Sequence, residues 1–225
     1  MATHLDLEEQ EQLDQLKSFW KQYGNLITWV LIAALGAYAA WNAWNWWQRD
    51  QAVKAGAMYD ELDRAAQAGD AAKAAGIFND MKERFPRTAF TQQGGLLAAK
   101  VQFDKGQADA AAASLGWVGA NALEDEYKTV AHLRLAGLLL DQKKFDEALK
   151  QLEGATAKEF VALVADRRGD VLLAQGKPED AKAAYTAAWK AMDAKVDYRR
   201  LIDAKLTALG AAPPAEVPKT AGVAQ

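Results

Sequence analysis

The chain has 225 residues, 51% of them hydrophobic, with 27 Lys plus Arg against 30 Asp plus Glu and a formal net charge of -3. The first 47 residues hold two basic and five acidic side chains, so residues 48–225 carry 25 of each sign and present no positive field to nucleic acid. With no cysteine and only His4 and His132, neither a structural zinc site nor a Cys/His nucleophile can be built.

Residues 1–24 read as an acidic amphipathic segment. Asp6 and Glu9 have capping-box spacing, and Leu13, Leu16, Trp20 and Tyr23 follow at i, i+3, i+7 and i+10 as a narrow apolar stripe. Such a segment is a short interfacial helix or a docking site for a partner in the compartment it faces. From Asn25 to Gln48 the chain then runs for 24 residues without a charged side chain. The apolar stretch from Leu26 to Trp47 reaches about 33 Å at helical rise, against a hydrocarbon core of about 30 Å, and predicts a transmembrane helix. Tyr23 and Trp29 flank one end and Trp41, Trp44, Trp46 and Trp47 the other, as an aromatic belt requires.

A signal peptide is the nearest rival, because Ala37-Tyr38-Ala39 has the small-x-small form of a cleavage site. Against it, the preceding segment is acidic rather than basic and the apolar run continues past that site. A buried core helix is the other rival, but only Thr28, Asn42 and Asn45 interrupt the apolar surface, with no polar stripe. Lys17 and Lys21 on one side and Arg49, Lys54 and Arg64 on the other leave the orientation open. No proline or glycine separates Trp47 from Ala55, so the span is expected to continue as helix into the following region. Trp41, Asn42, Trp44 and Asn45 are the span residues expected to dock laterally on another membrane protein.

Residues 49–210 read as one all-helical domain. Gly69-Asp70, Pro86, Lys105-Gly106, Lys143-Lys144 and Gly176-Lys177-Pro178 punctuate runs of good helix formers, and no stretch sustains strand-like alternation. A helix from Asp125 to Lys143 puts Ala131, Leu135, Leu138 and Leu139 on one face, and Phe145, Leu149 and Leu152 follow at once as its partner. Small residues recur at Ala74, Ala111, Ala148 and Ala181, spaced 37, 37 and 33 residues apart. This resembles a tetratricopeptide repeat, with a period of about 34 residues, in which small side chains let paired helices approach closely. The expected architecture is all-α: a single transmembrane helix, then an α-solenoid of three to four degenerate hairpins closed by a helix from Asp197 to Leu209. A generic alanine-rich bundle is the alternative. Residues 211–225, with Pro213, Pro214 and Pro218, read as a disordered tail.

Catalytic motifs are absent from the sequence, and no enzyme is expected. His132 lies within a helix as a packing or surface residue, and Gly94-Gly95 lacks the context of a phosphate loop. Arg168-Gly169-Asp170 spells an adhesion tripeptide but falls inside a helix, where the glycine serves packing and Asp166, Arg167 and Asp170 stand at ion-pair spacing. Repeat hairpins instead offer a concave face lined by the first helix of each pair. The register puts Leu96, Lys100, Phe103, Leu133, Leu140, Asp141, Leu163, Asp166, Asp170 and Leu173 there, unless some of them belong to the core. Repeats that clamp a C-terminal carboxylate use Lys, Arg and Asn at such places. Only Lys100 is available here, so an apolar extended or helical polypeptide is the expected ligand.

The layout resembles the YfgM family of bacterial inner-membrane proteins. The resemblance rests on Glu8 to Gly24 before the span, on Asn121 through Ala136, and above all on Phe160-Val-Ala-Leu-Val-Ala-Asp-Arg-Arg-Gly-Asp-Val-Leu-Leu-Ala-Gln-Gly-Lys177. It implies a cytoplasmic N-terminus, a periplasmic domain and service as an ancillary subunit of the SecYEG translocon. It further implies association with a PpiD-like membrane-anchored prolyl isomerase, contact with nascent or secreted polypeptides, and a cytoplasmic segment linked to an RcsB-like response regulator. No cofactor is implied. Two functions follow: a translocon-associated chaperone adaptor working through the concave face, and an envelope scaffold or stress-signalling protein working through the segment before the membrane.

Overall fold

The computed structural model describes residues 7–212, with side chains from residue 11. His4, the Asp6–Glu9 capping box and the tail beyond residue 212 lie outside the described residues. Among them, every regular element is helical: α1 (Leu7–Gln67), α2 (Ala71–Arg84), α3 (Ala89–Asp104), α4 (Ala108–Asn121), α5 (Asp125–Asp141), α6 (Phe145–Glu153), α7 (Val161–Ala174), α8 (Pro178–Ala191) and α9 (Tyr198–Ala208), with a 3₁₀ turn at Lys158–Phe160 before α7. The chain divides into two compact units, Met1–Val53 and Lys54–Gln225.

In the first unit, α1 carries the charge-free run and is the one described helix long and apolar enough to cross a membrane. The most apolar window of this helix is 0% buried, unlike a soluble protein's core helix. Two of the three polar side chains that interrupt it bond within the helix: Thr28 Oγ1 donates to the Gly24 carbonyl at 2.8 Å and Asn42 Nδ2 to the Tyr38 carbonyl at 3.1 Å. In hydrocarbon those bonds reduce the cost of burying a polar group.

The second unit is built from hairpins joined by one recurring turn. At Gly69, Gly106, Lys143, Gly176 and Gly210 the backbone enters the left-handed region, with φ of 66°, 74°, 59°, 76° and 71°. Each time, the next residue's N–H returns five residues to a carbonyl of the last helical turn, as from Asp70 to Ala65 at 2.9 Å and from Lys144 to Leu139 at 2.8 Å. This is the Schellman closure, which satisfies carbonyls left over at a helix end. The expected helix Asp125–Lys143 therefore stops at Asp141, because Lys143 is the turn residue itself.

The recurring alanines are the contact points between helices. Ala74, Ala111, Ala148 and Ala181 are all 0% exposed. One apolar cluster runs from Leu62 on α1 through Phe78, Met81, Val118, Leu135 and Leu152 to Val171 on α7. A second, smaller one joins Ala181, Tyr185 and Ala188 of α8 to Ile202 and Leu206 of α9. Thus α9 closes the stack by covering the last hairpin, where the sequence places its closing helix.

Candidate functional site

The helices α3, α5 and α7, each the first of its hairpin, border an open groove of about 390 Å³. Its floor is apolar and small, with Ala99 and Phe103 of α3, Ala111 and Leu115 of α4, and Gly137 and Leu138 of α5. Its rim is charged: Lys100 on α3, Arg134 and Asp141 on α5, and Arg167 on α7. Three cations face one anion there, although residues 48–225 as a whole are balanced.

Each rim cation keeps unused donors. Arg134 Nη1 donates to the Leu96 carbonyl at 3.2 Å, which holds its guanidinium against α3. Arg167 Nη1 lies 3.8 Å from Asp170 Oδ2, the loose end of the ion-pair range. Lys100 pairs with Asp104 one turn on, an exposed and therefore weak bridge. Gly137 keeps the wall open beside Arg167, since a Cβ there would stand 3.3 Å from its Nη1.

Of the ten residues expected on the concave face, the groove brings together Lys100, Phe103 and Asp141. Leu96 is 8% exposed and belongs to the core, and Leu133 and Leu140 are half-buried against that core. On α5 the lining stripe is Arg134, Gly137, Leu138 and Asp141, at i, i+3, i+4 and i+7, which keeps the expected Asp141 and puts Arg134 in place of Leu133. Leu163 is half-buried and Leu173 is 42% exposed, and neither lines the groove. Arg134 and Arg167 are the rim residues that sequence reasoning missed.

Asp166 and Asp170 correct the expectation most sharply. Asp166 is 2% exposed, and its carboxylate accepts from Lys205 Nζ at 2.8 and 2.9 Å and from the Tyr198 hydroxyl at 2.8 Å. Asp170 accepts from the same Lys205 nitrogen at 2.7 Å and from the Tyr185 hydroxyl at 2.8 Å. The two carboxylates expected on the concave face are instead the anchorage of α9. Burial, and then the hydrogen bond to Asp170, pushes the Tyr185 hydroxyl far above the ordinary tyrosine range; burial and Asp166 do the same for Tyr198.

Other singled-out residues find local explanations. Gly169 sits beneath the Tyr185 ring, where a Cβ would lie 2.4 Å from Cε1, so the glycine of Arg168-Gly169-Asp170 is a packing residue within α7. His132 is half-buried with Nδ1 2.9 Å from Gln151 Oε1. In the span, Trp41 and Trp44 are 65% and 54% exposed, Trp44 stacks tilted on Trp47 with centroids 5.2 Å apart, Asn42 is exposed and Asn45 is half-buried.

Comparison with known proteins bears on the whole chain. A family profile described as tetratricopeptide repeat-like domain matches residues 17–211. A Neisseria gonorrhoeae protein is 31% identical over 212 residues, 93% of this chain and 100% of its own length. An Escherichia coli protein is 31% identical over 187 residues, 81% of this chain and 87% of its own length, and a Haemophilus influenzae protein is 29% identical over 182 residues, 81% and 89%. All three relatives bear the name ancillary SecYEG translocon subunit.

Proposed function

Since the chain belongs to the tetratricopeptide repeat-like YfgM family, that of the ancillary SecYEG translocon subunits, we propose that it is itself such a subunit and acts as a chaperone adaptor. In this reading the span anchors it in the inner membrane with the N-terminus cytoplasmic. The hairpin domain is periplasmic and receives polypeptide emerging from the translocon. A membrane-anchored prolyl isomerase of the PpiD type is the neighbouring partner. The work is non-catalytic: it needs a held surface and no reacting group.

The observation that carries the reading is the open groove across α3, α5 and α7. It has an apolar floor, including the half-exposed Phe103, and a polar rim, which suits an extended polypeptide. The exposed Trp41 and Trp44 together with Asn42 supply the lateral face toward the translocon.

The test begins with topology. A cysteine introduced for Lys105, the only one in the chain, is expected to react with an impermeant maleimide once the outer membrane is opened and the inner membrane left intact. Protection under those conditions contradicts the periplasmic placement. The full chain isolated from mild detergent is also expected to bring SecYEG with it, and to lose it when residues 41–47 are replaced by leucines.

A second reading has one observation in its favour. Leu13, Leu16, Trp20 and Tyr23 are 40%, 63%, 58% and 41% exposed, an unpartnered apolar stripe before the span. It would serve an envelope scaffold or stress-signalling role, with an RcsB-like response regulator as partner. Deleting residues 6–18 should then remove the cellular phenotype while deleting the hairpin domain spares it.

A further inference from the structure

We infer that the groove selects polypeptide segments in which an aspartate or glutamate side chain lies beside an apolar one, with Arg134 and Arg167 as the carboxylate-reading pair. The inference rests on the polypeptide-binding reading above and names the ligand class of the same groove.

Charge complementarity carries it. The rim gathers Lys100, Arg134 and Arg167 against Asp141 in a domain whose charges balance as a whole. Arginine presents five donors in a rigid fork matched to a carboxylate, so one bond to the Leu96 carbonyl leaves Arg134 with capacity to spare. Arg167 makes only a loose 3.8 Å approach to Asp170 Oδ2, while Lys205 and Tyr185 bond the other oxygen of that carboxylate at 2.7 and 2.8 Å. Gly137, without a Cβ, leaves room next to that guanidinium.

The floor beneath the rim is apolar, and about 390 Å³ accommodates one or two side chains, not a whole helix. An extended segment crossing the groove can place an apolar side chain on Phe103 and Leu138 and an acidic one, two positions on and so on the same face, between the arginines. Asp141, exposed on the same rim, disfavours a second negative charge at its end. Because the groove is open and spans three hairpins, the carboxylate belongs to a side chain within a passing segment and not to a chain end.

The test uses the full chain in lipid nanodiscs and three fluorescent ten-residue peptides of alternating leucine and serine. One has a single central aspartate and blocked ends, one has asparagine there and blocked ends, and one has asparagine there with a free C-terminal carboxylate. The aspartate peptide is expected to bind about tenfold tighter than its blocked asparagine counterpart, with the advantage shrinking as salt rises. Arg167→Met should erase that advantage with the thermal melt unchanged. Arg167→Lys should restore part of it, and Asp141→Asn should strengthen aspartate binding. Equal binding of the two blocked peptides, both lost in Phe103→Asp, overturns the carboxylate assignment and leaves polypeptide binding standing. Preference for the free-ended peptide overturns it in favour of a chain end. No binding by any peptide overturns both readings.

Discussion

Lys143 occupies a position that the chain gives to glycine at the four equivalent turns. Its φ of 59° places a Cβ against the following carbonyl, at a cost of about 1–2 kcal/mol, of which glycine would return part as unfolded-chain entropy. Lys143→Gly is therefore expected to stabilise the domain by about 0.5–1 kcal/mol, measured as a raised urea midpoint with unchanged slope. Lys205 is the opposite case. It neutralises Asp166, which is 2% exposed, and Lys205→Met leaves that carboxylate buried without its cation. A loss of about 3–5 kcal/mol is expected in the same measurement. The two tyrosines of this cluster add a pH signature. Their hydroxyls are raised above the ordinary value of 10.0, so the folded state holds its protons where the unfolded chain releases them. Their contribution is complete below pH 10 and falls as pH rises beyond it. The double variant Tyr185→Phe with Tyr198→Phe should lose less stability between pH 10 and 12 than the parent chain does.

At the level of helices and turns, the close approach of α7 and α8 is set by Gly169 lying under Tyr185, with 2.4 Å available to a new Cβ. Gly169→Ala should push α8 outward and cost about 1–3 kcal/mol, observable as a lower melting temperature by circular dichroism. Hairpin order was legible in the chain because it rests on local chemistry: a glycine that takes the left-handed turn without strain at four of the five turns, and an alanine that fits the helix crossing. The groove was only partly legible. Periodicity finds the stripe on α5 that faces the core, Ala131, Leu135, Leu138 and Leu139, but both flanks of that stripe look alike in sequence. The concave flank is chosen by how hairpins stack, which depends on residues distant in sequence, such as Leu96, 38 positions away, whose backbone carbonyl holds Arg134 at 3.2 Å. Asp166 and Asp170 misled for the same reason, since Lys205 and Tyr198, their partners, reach them from α9. A lone lysine on the helix expected to close the stack was the available signal.

For the whole molecule, what matters is that an apolar helix able to cross a membrane and a hairpin domain with an open groove occur in one chain. The domain carries no net charge to attract polypeptides in general, so the proposed binding is assigned to the place where the apolar floor and the arginines coincide. The central claim is that this groove takes up polypeptide leaving the translocon. A photo-reactive phenylalanine analogue in place of Phe103, in the full chain in living cells, tests it most directly, with the same analogue in place of the exposed Glu153 of α6 as the control. The expected result is crosslinking from position 103 to secretory chains, dependent on active translocation and absent from position 153. Equal labelling from both positions, or labelling from position 103 that persists when translocation is blocked, would contradict it.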